Sequence, residues 1–317
     1  MAYIKFILIK MQVMGYMVHL LEEELIKHLD PEVRAVLDVG NYIVASGGKR
    51  MRPILSLLTC KALGGDEKRV LPLAIGIEYI HVASLLHDDV VDGADKRRGK
   101  LSANVVFGND LCVLTGDYMY AKALWLYSIY GNLKSIEIVS KAVMDMAQGQ
   151  VLELKSVGDL IDEDTYFSII DRKTGVLFGA SMAVGALVAG REDYEEFYRI
   201  GLKIGRAFQL VDDALDYSGS EEKLGKPVGN DLKEGKCTYP LISVIEKLNF
   251  EDVKRSLRSG EILWLREKVV ELGGVKKTYE RALTEVQDAL EELYGIVGKD
   301  LVQPLEALII SVVKRER

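Results

Sequence analysis

No proline occurs between Pro72 and Pro227. A proline inside a helix costs about 3 kcal/mol, because it removes a hydrogen bond and clashes with the preceding turn. A tract this long without it, rich in Ala, Leu, Ile, Glu and Lys, can therefore run as successive helices. Residues 71–92, 115–131, 135–154 and 194–217 repeat apolar side chains at three- and four-residue spacing around much of their circumference, as helices enclosed inside a bundle do. Strand alternation is hard to find. Breaks are expected at 64–68, 92–100, 156–164, 219–236 and 272–276. The reading is a single all-α domain over 17–317, a large helical bundle around a central cavity. The segment 219–236 is long for a loop inside a compact bundle, which marks it as functional.

Apolar residues make up 49% of the chain and charged ones 28%, enough to build a core and exclude disorder. With 41 Lys and Arg against 48 Asp and Glu, the net charge of −7 gives no bulk attraction to nucleic acid, so any phosphate site must be built locally. Cys60, Cys112 and Cys237 form no CxxC, and His19, His28, His81 and His87 no HExxH. A disulfide framework and a zinc hydrolase are thereby disfavoured, and a reducing, cytoplasmic setting is expected. The apolar start of the chain is interrupted by Lys5 and Lys10 into pieces too short to span a membrane, and residues 1–16 are read as an extension beyond the fold.

Two aspartate clusters carry the chemistry. DDVVD places Asp88, Asp89 and Asp92, and DDALD places Asp212, Asp213 and Asp216, each at the end of an apolar helix. Residues four apart lie about 40° apart around a helix, so Asp88 projects with Asp92 and Asp212 with Asp216. One such cluster alone is most simply a solvated helix end. Shuffling this composition yields on the order of 0.1 DDxxD matches, so two copies are not coincidence. Paired carboxylates repel unless a cation joins them, and an all-oxygen set suits Mg²⁺. A di-iron centre would want Glu with ExxH pairs, and neither aspartate motif has one.

The basic segments supply the counterpart. GGKRMRP sets Lys49, Arg50 and Arg52 after the pair Gly47 and Gly48, with Pro53 suited to a helix start, an arrangement that collects anions. KRRGK brings Arg97 and Arg98 within one turn of the first aspartates, and arginine forks match phosphate oxygens. His81 lies two helical turns before Asp88 on the same face. Alone it reads more simply as a core histidine, as Lys173 and Thr174 read as ordinary helix positions.

Taken in order, GGKRMRP, HVASLLHDDVVD with RRG following, RKTG at 172–175, FQLVDDALDY at 208–217 and GKPVGNDLKEGKCTYP at 225–240 resemble the trans-isoprenyl diphosphate synthases of the polyprenyl synthetase family over nearly the whole chain. The resemblance implies the isoprenoid synthase type of helical bundle, a homodimer, and a transferase that adds isopentenyl diphosphate to an allylic diphosphate. It implies Mg²⁺, roughly two or three ions per site, bound by Asp88, Asp92, Asp212 and Asp216, with Asp89 and Asp213 in support. Lys173, Lys226, Lys236 and Arg97 would face the allylic diphosphate, with Thr174 and Gln209 beside its reacting carbon. Gly48, Lys49, Arg52, His81 and Arg98 would hold isopentenyl diphosphate. Lys100 and Tyr239 stand where such proteins often carry Pro and Leu, and neither is a charged catalytic position.

These residue types fit the chemistry. Ionising an allylic diphosphate asks for stabilised negative charge on the departing oxygen, which metal ions and cations provide, and no protein nucleophile is required.

Product length is read from the helix entering DDVVD, where relatives that stop at farnesyl carry bulky aromatics. Ala83 and Ser84 leave that path open, pointing to a hexaprenyl to octaprenyl product, with peripheral membrane contact for its release. Ile80, Tyr120, Leu124 and Trp125 are expected deeper along it as a floor. The alternatives are a geranylgeranyl diphosphate synthase, which the small pair argues against, and a non-catalytic subunit, which would not need intact motifs.

Overall fold

The computed structural model describes residues 15, 17–218, 229–299 and 301–314. Most of the expected extension and Lys226 lie outside the described residues. The described residues are helical apart from one two-stranded ribbon and the connecting loops. The chain divides into two compact units. The first comprises Met1–Ser140, Ala180–Glu195 and Lys299–Ala307, the second Lys141–Gly179, Glu196–Gly298 and Leu308–Arg317.

The first unit opens with α1 (17–28), α2 (Arg34–Ala45) and α3 (Met51–Ala62), and its axis is α4 (Glu67–Val91). α4 starts ahead of Pro72, earlier than the apolar run indicates, because the Asp66 side chain caps the Lys68 N–H at 2.9 Å and sets the first turn. By length and composition α4 could cross a membrane, yet it is a core helix, with Leu73, Ile75, Ile77, Tyr79 and Ile80 all buried. The Tyr79 hydroxyl donates to the Leu25 carbonyl at 2.5 Å, tying α1 to it.

After α4 the chain makes a β-ribbon, β1 (Lys96–Arg97) with β2 (Lys100–Leu101), then α5 (Ala103–Phe107) and α6 (Asn109–Tyr130). α6 lies antiparallel against α4 and needs glycine at both ends of the contact. A Cβ at Gly76 would stand 2.8 Å from the Tyr127 ring, and one at Gly116 2.3 Å from His87. That register sets Tyr120 level with Ala83.

The helices α7 (Leu133–Ser156) and α9 (Val176–Val188) contribute residues to both units. In the second unit α8 (Glu163–Ile170) passes into α9 through a π-helical turn, Asp171–Gly175, facing α10 (Tyr194–Ser218). α9 and α10 meet along a seam of glycines: a Cβ on Gly201 would lie 2.5 Å from the Phe178 carbonyl oxygen, and one on Gly205 2.6 Å from the Gly175 Cα. Short helices Asn230–Lys233, Tyr239–Ile242, Phe250–Ser259 and Leu263–Glu271 pack on Tyr217, Leu232, Leu241, Val253 and Leu265, and the long helix Gly274–Val297 follows. Part of the expected loop 219–236 is thus a helical turn.

Candidate active site

Each aspartate cluster sits at the C-terminal end of its helix, and neither α4 nor α10 has a basic residue in its last turn. Carboxylates there face the negative end of the helix dipole, an unfavourable placement that a bound cation reverses. Asp92 caps α4, its N–H donating to the Asp88 carbonyl at 2.8 Å. Among the described residues no three acidic, histidine or cysteine side chains gather as a ready-made cage. Mg²⁺, which keeps waters and shares its shell with phosphate oxygens, suits such paired carboxylates.

In the first unit the basic motifs converge. Arg98 and Gly99 are the two central residues of the β1–β2 turn, both at positive φ, 52° and 77°, as a two-residue hairpin of that twist requires. Arginine is strained in that conformation. The turn carries the Arg98 guanidinium to Gly48, where a Cβ would stand 3.0 Å from its Nη1. Any side chain at residue 48 would fill the space the arginine occupies.

Arg50, also left-handed at φ 48°, is not a ligand in this arrangement. It is buried, pairs with buried Glu78 at 2.8 Å and donates to the Val44 carbonyl at 2.7 Å, fixing the GGKR loop against α4. Burial and the charges of Arg52, Arg98, Arg97 and Arg50 hold His81 well below the usual histidine range, so its imidazole is neutral near pH 7. A neutral ring in the field of several arginines suits a polyanion.

Three expectations change here. Arg97, expected on the allylic diphosphate, is gripped by fully buried Asp89: its Nε donates to both carboxylate oxygens at 2.8 and 2.9 Å, and Nη2 lies 2.7 Å from Oδ1. Asp89 therefore supports by holding the hairpin. Leu124 and Trp125, expected as a tunnel floor, are 42% and 49% exposed, Trp125 under the Lys122 ammonium at 4.4 Å. They lie on an open apolar face of α6 with Leu114 and Ile129, not in the buried core. Tyr120 stands 5.6 Å from the His87 ring, and burial together with nearby Asp88 raises its phenol, which puts it at the aspartates rather than far below them. Ile80 and Ala83 are buried in α4, and the Ser84 hydroxyl donates to the His81 carbonyl at 2.8 Å.

The second unit holds a cavity of about 180 Å³ lined by Glu153, Tyr166, Lys173, Thr174, Gln209, Asp212, Asp213 and Lys236, among others. Two close backbone approaches build it. α7 comes in at Gly149, where a Cβ would be 2.7 Å from the Lys173 nitrogen, and the π turn presents Lys173 and Thr174 without breaking the helix. Glu153 bridges the lysines, at 2.5 Å from Lys173 and 3.8 Å from Lys236, and Glu234 stands 2.7 Å from Lys236. Burial opposes the charge of Lys236, but these carboxylates more than offset it and hold it above the usual lysine range.

Thr174 donates to Gln209 Oε1 at 3.0 Å, Gln209 Nε2 to Asp213 Oδ1 at 2.9 Å, and Tyr166 to Asp213 Oδ2 at 2.6 Å. Burial pushes the Asp213 carboxyl up, against the pull of those two donors. Asp212 lines the cavity as expected of a ligand. Asp216 does not: it is buried and accepts the N–H groups of Asn230 and Asp231 at 3.2 and 3.1 Å, capping the helix that follows the long loop, so its assignment to the metal gives way to an anchoring role. Sequence reasoning missed Glu153, Tyr166 and the Arg50–Glu78 pair. A mid-helix glycine at 149 was the one available signal.

Comparison with known proteins places these features in company. The chain is 38% identical over 303 residues to the octaprenyl diphosphate synthase of Escherichia coli (strain K12), covering 92% of this chain and 94% of that one. It is 36% identical over 251 residues to a short chain isoprenyl diphosphate synthase of Methanocaldococcus jannaschii, covering 75% and 77%. Its structure is similar to that of a polyprenyl synthase from Caulobacter crescentus complexed with calcium and isoprenyl diphosphate, with a TM-score of 0.90, 32% identity and 97% of each chain covered. A family model described as Polyprenyl synthetase matches residues 33–261, a span that starts just before α2 and runs past the last residue lining the cavity, and the chain therefore belongs to the polyprenyl synthetase family.

Proposed function

We propose that this protein is a Mg²⁺-dependent polyprenyl diphosphate synthase that condenses isopentenyl diphosphate with an allylic diphosphate primer. The observation that carries the reading is the cavity of the second unit, where Asp212, Lys173 and Lys236 line one space with Thr174 and Gln209. A carboxylate among ammonium groups fits a polyanion that arrives with its metal ions, and hydroxyl and amide oxygens beside them fit an electron-deficient carbon. Asp88 and Asp92, and separately Asp212, would hold Mg²⁺. When bound, it neutralises the charge that builds on the departing diphosphate. Lys173 and Lys236 donate to diphosphate oxygens, with Glu153 keeping both ammonium groups in place until substrate arrives. Lys49, Arg52 and Arg98 grip isopentenyl diphosphate, with neutral His81 as a hydrogen-bonding partner. The 38% identity to the octaprenyl enzyme supports a product in the hexaprenyl to octaprenyl range.

Small residues before the first cluster support the same length. Substituting Ser84→Phe is expected to shift products toward farnesyl and geranylgeranyl, read by sizing the dephosphorylated prenols. An unchanged distribution would remove α4 from length control. The exposed apolar face of α6 suits a second copy of the chain, so we read the protein as a homodimer, and its three free, buried cysteines suit the cytoplasm.

The test is incubation with Mg²⁺, labelled isopentenyl diphosphate and, in turn, dimethylallyl, geranyl, farnesyl and geranylgeranyl diphosphate. Products well beyond geranylgeranyl support the full reading. A stop at geranylgeranyl keeps the transferase and removes the long chain, and no product from any primer overturns the enzyme.

A further inference from the structure

We propose that Asp213, held by Tyr166, acts as a positioning residue that fixes the direction of the hydrogen bonds through Gln209, so that Thr174 presents oxygen lone pairs and no proton to the cavity. This rests on the proposed prenyl transfer and assigns Tyr166 and Asp213 a part in it distinct from metal binding. A glutamine amide has one accepting and one donating end, and which end faces which neighbour is set by its partners. Here the Nε2 of Gln209 meets the Asp213 carboxylate at 2.9 Å, which leaves Oε1 facing Thr174. Oε1 can only accept, so the single hydroxyl proton of Thr174 is committed to it at 3.0 Å. What Thr174 offers to the cavity is then electron pairs and no proton.

Tyr166 locks the other end. It is buried, and among the described residues its only hydrogen-bond acceptor is Asp213 Oδ2, at 2.6 Å. Its ring packs against Phe167 at 5.4 Å and Tyr239 at 5.6 Å, which holds the hydroxyl on target. Among the groups lining the cavity, the ammonium donors are Lys173 and Lys236, and Thr174 and Gln209 add neutral oxygen acceptors. When the allylic carbon–oxygen bond breaks heterolytically, the electron pair leaves with the diphosphate oxygen toward the donors. The electron-poor carbon is left beside the acceptors.

The arrangement makes an unusual demand on paired variants. In Asp213→Asn the Tyr166 proton claims the new amide oxygen and turns the new NH₂ toward Gln209. Gln209 must then turn over and donate to Thr174, whose proton swings into the cavity. We expect kcat to fall by about 100-fold, with the KM for isopentenyl diphosphate unchanged. Adding Tyr166→Phe removes the clamp, lets the new amide turn its oxygen to Gln209, and is expected to recover about tenfold of that loss. Tyr166→Phe alone costs about threefold. A double variant as slow as Asp213→Asn, or slower, overturns the inference, because removing the Tyr166 clamp must let the Gln209 amide turn back.

Thermal unfolding of each variant checks the fold. If Asp213→Asn does not fold, the comparison moves to Thr174→Val, in whose background the effect of Tyr166→Phe is expected to vanish. Equal effects in both backgrounds again overturn the inference. Absence of product from the unaltered chain would instead remove the prenyl-transfer reading, and this inference with it.

Discussion

Asp212→Asn is expected to lower kcat by about 10³-fold or more while leaving the melting temperature nearly unchanged. Asp212 is exposed and lines the cavity, so the substitution removes a charge without opening a void. A neutral amide is a poor ligand for a hard divalent ion, and it leaves the negative end of α10 without the cation its sequence calls for. Raising Mg²⁺ is expected to recover part of the loss, because the affinity of the remaining donors falls rather than disappears. The same substitution at Asp216 is expected to behave in the opposite way. Asp216 caps Asn230 and Asp231 through their backbone, so its loss lowers stability first and responds little to Mg²⁺. Activity titrated against Mg²⁺, alongside unfolding curves, separates the two aspartates. Equal Mg²⁺ responses would restore Asp216 as a ligand.

Glu78→Ala is expected to destabilise the protein by about 3–5 kcal/mol, read by urea unfolding. Arg50 and Glu78 are both buried and 2.8 Å apart, so removing one partner strands the other charge away from water. Glu22, 3.6 Å from Arg50 and 42% exposed, compensates only in part. Because Arg50 also fastens the GGKR loop to the Val44 carbonyl, the variant that does fold is expected to show a raised KM for isopentenyl diphosphate with the allylic KM unchanged. A loss confined to stability would separate the pair from the binding loop.

Much of this was legible in the chain itself. Apolar residues recurring at three- and four-residue spacing allowed α4, α6, α7 and α10 and the aspartates at the ends of α4 and α10 to be placed from residue order alone. The meeting of GGKR with RRG was also readable, because phosphate chemistry demands clustered cations. Pairings made by the fold were not. Asp89 with Arg97, Arg50 with Glu78 and Tyr166 with Asp213 join residues whose separation carries no periodic signal. Nor do three aspartates in a DDxxD reveal which is swallowed by a neighbouring backbone, as Asp216 is. Leu124 and Trp125 illustrate a different limit: an apolar residue turned to the core and one turned to an open face look alike in sequence. The β1–β2 ribbon was missed because two-residue strands show no alternation.

A π turn holds one residue more than the α turn it replaces, so the helix on its far side resumes about 100° out of phase with the helix before it. Upstream of Asp171–Gly175, α8 points Tyr166 into the second unit's cavity, and within the turn Lys173 and Thr174 reach the same space. Asp171 pairs with Arg206 at 2.6 Å, and a Cβ on Gly175 would stand 2.9 Å from Leu202. Composition elsewhere in that stretch can drift as long as the charges of Asp171 and Lys173, the Thr174 hydroxyl and Gly175 survive. Its length cannot: one residue fewer would give a smoother helix and rotate everything from Val176 onward about its own axis. The segment is spelled loosely and counted strictly.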